Sequence, residues 1–255
     1  MTEQILLTDR NGAVASIGIN RPDSRNALNG DLLDAMAAEL ESLRDDPNVL
    51  AVVIYGVGGV FCAGADITAF DEIRAKPLIH NDAFWSILRG FHKPVIAAVE
   101  KYAFGGGCEL ALACDVVIAG RGARFAVPEV KLGAIPGAGG TQRLIRSVGK
   151  SKAMAMLLSG DALTAENACN AGLIAEVVDD GAALSYATEL GQRIARNSPL
   201  AVALVKDAAL ASFETSLTHG LEHEKRNFFV AVHSDDSHEG QAAFLEKRSP
   251  QFTGK

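Results

Sequence analysis

Four short apolar runs, separated by segments of helical periodicity, constrain the fold of the first half of this 255-residue chain. The runs are rich in β-branched residues and cover residues 14–19, 50–55, 95–99 and 116–119, a pattern that predicts strands. Residues 31–44 repeat apolar side chains at helical spacing, and Asn29 precedes them as an N-cap. This alternation is typical of βα units, so the predicted fold class is α/β.

From about residue 139 onward the pattern becomes almost entirely helical. Thr164 and Ser198 stand ahead of alanine-rich amphipathic stretches, where such residues are typical start signals of helices. The last stretch covers residues 236–248 and places Lys247 and Arg248 in its final turn. We therefore predict a sheet-containing core over residues 1–195 and a helical C-terminal region over residues 196–255.

Charge and cysteine content disfavour several classes of protein. The net charge is −7 and the pI is about 5.4, so the surface has no overall attraction for nucleic acid or anionic membranes. The four cysteines form no CxxC pair, which disfavours a zinc ribbon or a thioredoxin-like site. The sequence shows neither a signal-peptide pattern nor a membrane-spanning apolar stretch. We expect a cytoplasmic protein with free thiols and with neither a nucleic-acid nor a membrane partner.

Three glycine-rich segments suggest nucleotide-binding loops but lack the required spacing. Residues 56–61 lack the third glycine of GxGxxG, and residues 136–142 break the same pattern. The triplet Gly149-Lys-Ser looks like the end of a P-loop, but Leu144 stands where that loop requires glycine. No GxSxG nucleophile motif occurs. His219 and His223 lie four residues apart without a recognisable third ligand, so we predict no metal site.

Two glutamates in otherwise apolar segments are the candidates for acid–base chemistry. Glu109 belongs to a helical segment that is apolar on its other faces, so its carboxylate is predicted to be buried. A buried, unpaired carboxylate is costly unless it takes up a proton, and either outcome suits a general acid or base. Glu129 follows Pro128 among apolar residues. The alternative for each is a structural or surface acid, and for Glu129 a surface acid paired with Lys131.

Two glycine-rich turns supply candidate hydrogen-bond donors. Residues 61–67 follow a predicted strand, and residues 103–108 lead into the helix that bears Glu109. Small residues allow backbones to approach closely, and N–H groups at a helix start can point at an anion. Together the turns predict an oxyanion hole. The alternative is that each is a tight turn that only allows its neighbouring elements to pack.

The order and spacing of these motifs resemble the crotonase (enoyl-CoA hydratase/isomerase) superfamily over nearly the whole chain. The matching segments are Arg21-Pro with Asn26-Ala-Leu-Asn, Phe61-Cys-Ala-Gly-Ala-Asp-Ile, Lys93-Pro-Val-Ile-Ala-Ala-Val, Gly105-Gly-Gly-Cys-Glu-Leu, Pro128-Glu, Leu132-Gly and Ile135-Pro-Gly-Ala-Gly-Gly-Thr-Gln-Arg-Leu. The resemblance implies a crotonase-like spiral of repeated ββα units with a helical C-terminal trimerisation region. It also implies assembly as a homotrimer or homohexamer.

The resemblance further implies roles for individual residues. The backbone N–H groups of Ala65 and Gly106 would hold the thioester oxygen as it becomes an enolate. Glu109 and Glu129 would be the two catalytic glutamates, and Gly137 would supply a backbone contact to the attacking water. The residues implied to bind the substrate and its coenzyme A portion are Arg25, Ala63, Ala65, Asp66, Ile67, Thr68, Gly106, Phe244 and Lys247.

Two pocket glutamates favour a hydratase within this superfamily, because its isomerases commonly use one acid. We predict an enoyl-CoA hydratase that converts a trans-2-enoyl-CoA into a 3-hydroxyacyl-CoA, with no cofactor beyond the coenzyme A of the substrate. The alternatives are an isomerase, a specialised hydroxyacyl-CoA dehydratase, a non-catalytic acyl-CoA binder and an RNA binder. RNA binding calls for a basic stripe, whereas residues 31–46 carry one arginine among six acids. Residues 71–84 are the predicted source of acyl-chain specificity.

Overall fold

The computed structural model describes residues 4–69 and 83–255. The strands in this part are β1 (Leu6–Asn11), β2 (Val14–Ile19), β3 (Ala51–Gly56), β4 (Val95–Val99), β5 (Tyr102–Phe104), β6 (Val116–Gly120), β7 (Arg124–Ala126), β8 (Leu163–Thr164) and β9 (Glu176–Val178). The helices are α1 (Gly30–Asp45), α2 (Ala83–Arg89), α3 (Gly106–Ala113), α4 (Gly140–Ser159), α5 (Ala165–Asn170), α6 (Ala183–Ile194), α7 (Pro199–Ala211), α8 (Leu217–Val232) and α9 (Asp235–Glu246).

The four predicted strands are present as β2, β3, β4 and β6, with ends that differ by at most one residue. The predicted helix caps are also confirmed, because side-chain oxygens accept the N–H groups of the first turn. Asn29 accepts from Leu32 of α1 at 3.1 Å, and Thr164 and Ser198 cap α5 and α7 in the same way. These caps remove unpaired donors at the helix starts and fix where each helix begins.

The larger sheet has the strand order β1-β2-β3-β4-β6-β9, in which the first pair is antiparallel and the others are parallel. Both faces of its central strands are buried, as the apolar runs require. Ile54 of β3 packs on the face covered by α1, whereas its neighbour Val53 packs toward Ala183 and Ala187 of α6. Helices α1 and α6 thus cover opposite faces of the sheet, and the parallel pairing of β3 with β4 places their carboxyl ends at the same edge.

The smaller sheet, in the order β5-β7-β8, positions both candidate glutamates. Strand β5 leads through Gly105 into α3, which carries Glu109 in its first turn. Strand β7 pairs in parallel with β5 and leads through Pro128 into a short 3-10 helix that begins at Glu129. These short strands were not predicted, because three residues are too few to show an alternating pattern.

The C-terminal helices pack on one another and are tied to the sheet by a lysine. Helix α7 packs against α8, and Lys206 of α7 donates to the Asp115 carboxylate at 2.6 Å and to the Lys93 carbonyl at 2.9 Å. Asp236 of α9 is buried and accepts from Ser198 Oγ at 2.6 Å and from Thr253 N at 2.7 Å. This buried carboxylate therefore joins α7, α9 and the last residues of the chain.

The predicted end of the last helix is wrong. Helix α9 ends at Glu246, and Lys247 adopts a left-handed conformation with φ of 57°. Because the N–H of Arg248 returns to the carbonyl of Ala243 at 3.0 Å, the chain turns away instead of completing another helical turn. Periodicity alone does not reveal such a turn.

Two other predictions concern segment boundaries. The division between residues 1–195 and 196–255 falls between α6 and α7 and stays a prediction. Of the predicted specificity segment 71–84, only Ala83 and Phe84 belong to the described residues, where they begin α2. Within the described residues, no helix combines the length and apolarity needed to cross a membrane.

Candidate active site

The two glycine-rich turns lie side by side. Cys62 forms a parallel bridge with Ala103 of β5, in which Cys62 N donates to the Tyr102 carbonyl at 2.9 Å and Phe104 N donates to the Cys62 carbonyl at 3.1 Å. Residues 62–65 therefore run beside residues 103–106. The bridge places the turn after β3 against the start of α3.

Two backbone N–H groups at this junction have no acceptor among residues 4–69 and 83–255. Leu28 N donates to the Gly64 carbonyl at 2.8 Å, and Asp66 N donates to the Leu28 carbonyl at 2.7 Å. The residues on both sides of Ala65 are therefore paired with Leu28, while the N–H of Ala65 itself has no acceptor in this part of the chain. Gly106 is the first residue of α3, where an N–H has no partner within the helix. A methyl group on Gly106 would lie 3.4 Å from the Ala65 nitrogen. The pair has the composition of an oxyanion hole.

Glycine is required where the two turns meet. A Cβ atom on Gly64, whose φ is 122°, would lie 3.1 Å from the Phe104 carbonyl oxygen. Gly105 has φ of 50°, and a Cβ there would lie 2.9 Å from Glu129 Oε1. A side chain on Gly107 would overlap the Cys62 carbonyl. Only glycine permits these close approaches. The glycines are therefore needed for contacts between the two turns and with Glu129, and not only for the bend within each turn.

The predicted burial of Glu109 is confirmed, since the residue is only 3% exposed. Its Oε1 accepts two backbone N–H groups, from Ala138 at 2.8 Å and from Gly140 at 2.7 Å. Gly140 is the first residue of α4, so the carboxylate also faces the positive end of that helix dipole. These contacts fix one oxygen and leave Oε2 without a protein donor in the described part of the chain.

Glu129 is half-buried beside the start of α3. Its Oε2 is buried and has no hydrogen-bond partner among the described residues. Burial raises the pKa of this carboxyl, and the negative charge of Glu109 raises it further. The alternative pairing with Lys131 is wrong, because Lys131 contacts Asp161 at 3.2 Å instead. A carboxyl with one buried oxygen lacking a partner, close to a second carboxylate, is suited to proton transfer.

The raised pKa of Glu129 predicts a pH-dependent stability difference. The folded state binds this proton more tightly than the unfolded state, so stability falls as pH rises from the ordinary glutamate pKa through the raised one. We expect Glu129→Gln to raise the melting temperature at neutral pH by about 2–4 °C, equivalent to about 1 kcal/mol. The gain should vanish below the ordinary pKa of glutamate. The exposed Glu166→Gln is the control, and equal melting at neutral pH would contradict this cause.

The nearby thiols are not suited to nucleophilic catalysis. Burial raises the pKa of Cys62 to about 12, and it raises the pKa of Cys108 well above the usual range, where Glu109 and Glu129 add to the shift. A thiol is reactive as the thiolate. At neutral pH these cysteines therefore act as small apolar residues of the core.

An ion pair and a buried amide hold the Ala65 segment in place, and of their three residues only Asp66 was predicted from the sequence as a site residue. Arg21 contacts the Asp66 carboxylate at 2.9 Å and also donates to the Ala27 carbonyl. Asn26 is fully buried, and its side chain donates to the carbonyls of Val57 and Val60 at 2.9 and 2.6 Å. Arg21 and Asn26 belong to the matching segments Arg21-Pro and Asn26-Ala-Leu-Asn. The sequence does not show that their side chains contact residues 57–66.

The residues predicted to bind coenzyme A divide into two groups. Ala63 donates its N–H to the Arg25 carbonyl at 3.0 Å, so Arg25 adjoins the 63–68 turn. Within that turn Asp66 is already engaged: a hydrogen bond from Thr68 Oγ1 at 2.6 Å and the Arg21 contact hold the pKa of its carboxyl below the usual range. Its side chain is therefore committed to shaping the turn, while Ile67 remains 60% exposed.

The remaining predicted residues lie in different places. Gly137 is exposed in the loop before α4, next to the Ala138 donor of Glu109. Phe244 and Lys247 lie at the end of α9, which packs against α8, and Phe244 is 84% exposed. Within one chain these two residues do not join the cluster of turns and glutamates. Their contact with a nucleotide stays a prediction.

The two histidines considered as metal ligands have protein partners. His223 Nε2 lies 2.5 Å from the Asp207 carboxylate, and His219 Nδ1 lies 3.2 Å from Ser216 Oγ. Both contacts stabilise the packing or capping of α8.

Comparison with known proteins defines the class to which this fold and site belong. The sequence profile described as enoyl-CoA hydratase/isomerase matches residues 9–255. The chain is 46% identical to 2,3-dehydroadipyl-CoA hydratase of Escherichia coli K12 over 98% of its own length and 99% of that protein's. It superposes on the crystal structure of enoyl-CoA hydratase EchA1 from Mycobacterium marinum with a TM-score of 0.92 and 38% identity, covering 99% and 100% of the two chains. The chain belongs to the enoyl-CoA hydratase/isomerase family.

The activity within that family is that of a hydratase. The chain is 44% identical to the probable mitochondrial enoyl-CoA hydratase of Dictyostelium discoideum, over 97% of its own length and 90% of that protein's. The predicted crotonase fold and the predicted enoyl-CoA hydratase activity, a hydro-lyase reaction, are thus confirmed.

Proposed function

We propose that the chain adds water across the double bond of a trans-2-enoyl-CoA by means of Glu109, Glu129 and the N–H groups of Ala65 and Gly106. The observation that carries this proposal is the meeting of two unbonded N–H groups with two carboxyls, one buried and one half-buried. The N–H groups would bind the thioester oxygen and stabilise the negative charge that it gains as the double bond is attacked.

The two carboxyls support different proton-transfer roles. Glu109, held by two N–H donors, is positioned to accept a proton from water as the water oxygen bonds to C3. Glu129, whose pKa is raised by burial, is positioned to give a proton to C2. This protonation at C2 re-forms the thioester carbonyl and converts the enolate into the 3-hydroxyacyl thioester. Passage of a proton from Glu109 to Glu129 through water returns the pair to its starting state, and the same steps reversed dehydrate the product.

The reaction is tested with a panel of 2-enoyl-CoAs of increasing chain length, followed by the loss of absorbance of the conjugated thioester. The panel includes a 2-enoyl-CoA with a terminal carboxylate, because one relative at 46% identity is named for the substrate 2,3-dehydroadipyl-CoA. A matched 3-enoyl-CoA separates the isomerase alternative from hydration. If the protein hydrates none of these substrates, the proposal is wrong.

The predicted homotrimer or homohexamer is supported by apolar side chains on the C-terminal helices. The following are each at least half exposed in the single chain: Val205, Phe213, Leu217, Leu221, Phe228, Phe229, Phe244 and Leu245. Exposed apolar patches of this kind are typical of subunit interfaces. Such assembly would also offer Phe244 and Lys247 of one subunit to the nucleotide bound by another.

Light scattering is expected to give a mass about three or six times the 26.8 kDa of one chain. Phe228→Asp places a charge in the apolar surface and should shift the mass toward that of a single chain. Glu222→Gln, exposed on the same helix, should leave the mass unchanged. A monodisperse monomer for the unmodified protein at micromolar concentration would contradict the proposal.

Two further predictions accompany the proposed function. The reaction as written needs no group beyond the acyl-CoA and water, in line with the prediction that no cofactor takes part. The cytoplasmic location is supported by four free thiols, of which Cys62, Cys108 and Cys114 are buried.

A further inference from the structure

Arg143 of α4 folds back over the loop that holds Glu109. Its Nη1 donates to the Ala138 carbonyl at 2.8 Å, and the N–H of that same Ala138 donates to Glu109 Oε1 at 2.8 Å. Gly140 N completes the pair of donors at 2.7 Å. The backbone of Ala138 therefore links the two side chains: its carbonyl accepts from the guanidinium and its N–H donates to the Glu109 carboxylate.

The loop sequence accommodates this side chain. Gly139 lies between the two donor residues with φ of 107°, and a Cβ atom on it would overlap Arg143 Nη1. The backbone N–H of Arg143 also donates to the Gly139 carbonyl at 2.9 Å. A larger residue at 139 would thus displace the guanidinium from the 138–139 peptide, which lies between the two N–H donors to Glu109.

Arg143 is a half-buried cation that forms no salt bridge with the described residues. Burial lowers the pKa of its guanidinium and the charge of Arg89 lowers it further, while the charge of Glu109 raises it. An arginine carries its charge under all ordinary conditions. Among the described residues, its guanidinium is held by the backbone carbonyl of Ala138.

We propose that Arg143 is the positioning residue of Glu109: it holds the carbonyl of the peptide group between Ala138 and Gly139, so that the N–H groups on either side of that peptide converge on Oε1. The proposal rests on the function proposed above and deepens it. Arg143 does not touch the reacting atoms, so it acts through Glu109 rather than on the substrate.

Arg143→Gln tests the proposal in steady-state hydration of crotonyl-CoA. We expect kcat to fall by about 10- to 100-fold, the loss that corresponds to one charge-assisted hydrogen bond, with KM little changed. Arg143→Lys keeps a cationic donor for the Ala138 carbonyl and should retain more of the turnover than Arg143→Gln. Arg146→Gln, exposed one turn along the helix, is the matched control.

A double variant separates positioning from a structural effect. If Arg143 acts through Glu109, then Arg143→Gln should cause little further loss in a Glu109→Gln background. An undiminished further loss in that background would overturn the proposal. If Glu109→Gln keeps wild-type hydration, the proposed function fails. If Glu109→Gln is impaired while Arg143→Gln matches Arg146→Gln, only the role of Arg143 fails.

Discussion

Glu109→Gln and Glu129→Gln are each expected to lower the turnover of crotonyl-CoA hydration by about 10²–10⁴. Glutamine keeps the size of each side chain, and at position 109 its oxygen can still accept from Ala138 N and Gly140 N. What is lost is the titrating group. Hydration needs one group to take a proton from water and one to deliver a proton to carbon, so neither glutamate can replace the other.

The double variant Glu109→Gln with Glu129→Gln shows whether the two glutamates act in one mechanism or contribute independently to turnover. Because both carboxyls act on the same addition, we expect the double variant to be only slightly worse than the poorer single variant. Glu166→Gln, an exposed glutamate of α5, is the control for the loss of one negative charge. Circular dichroism and binding of a non-reacting CoA ester show whether fold and substrate binding survive, as expected.

The outcomes separate hydratase from isomerase chemistry. Near-normal hydration by either folded single variant would refute the two-glutamate mechanism. Retained 3-to-2 double-bond isomerisation with Glu109 replaced would favour the isomerase alternative, in which one acid is enough. Loss of both reactions in both variants, with CoA-ester binding intact, supports the site as described.

Gly106→Pro should lower turnover by at least about 10²–10³, the loss measured when one oxyanion donor is removed elsewhere. Gly106 is the first residue of α3, a position where proline is well tolerated because the N–H has no helical partner. The substitution therefore removes the proposed donor without breaking the helix that carries Glu109. It also places ring atoms where the thioester oxygen would bind, which should weaken substrate binding.

Gly106→Ala is the matched control for the added volume. It introduces a Cβ atom that meets Ala65 N and Leu28 Cδ1 at 3.4 Å, close contacts that small shifts of the neighbours relieve, and it keeps the N–H. We expect the alanine variant to retain most of its turnover. If a folded proline variant keeps wild-type turnover, then Gly106 is not the donor. Equal loss in both variants would point to crowding of the turn instead.

The position of Glu129 could not be predicted from its neighbours in the sequence. Pro128 and the apolar residues around Glu129 left open a surface pair with Lys131, two residues along the chain. Lys131 instead reaches Asp161, because the 3-10 helix directs it away from β5 while Glu129 lies over Gly105. Glu129 is a half-buried site acid and not a surface acid because the pairing of β7 with β5 brings it beside the start of α3.

The sequence by itself determined the elements whose signals are local. The β-branched runs, the caps at Asn29, Thr164 and Ser198, and the burial of Glu109 each follow from residues a few positions apart, because periodicity and capping are short-range effects. The tertiary structure alone decided which distant groups meet: Ala65 with Gly106, Glu129 with the start of α3, and Glu109 with the N–H groups of Ala138 and Gly140. Those contacts depend on strand order and on glycine-permitted backbone approaches between segments far apart in the chain, and no local pattern encodes that geometry.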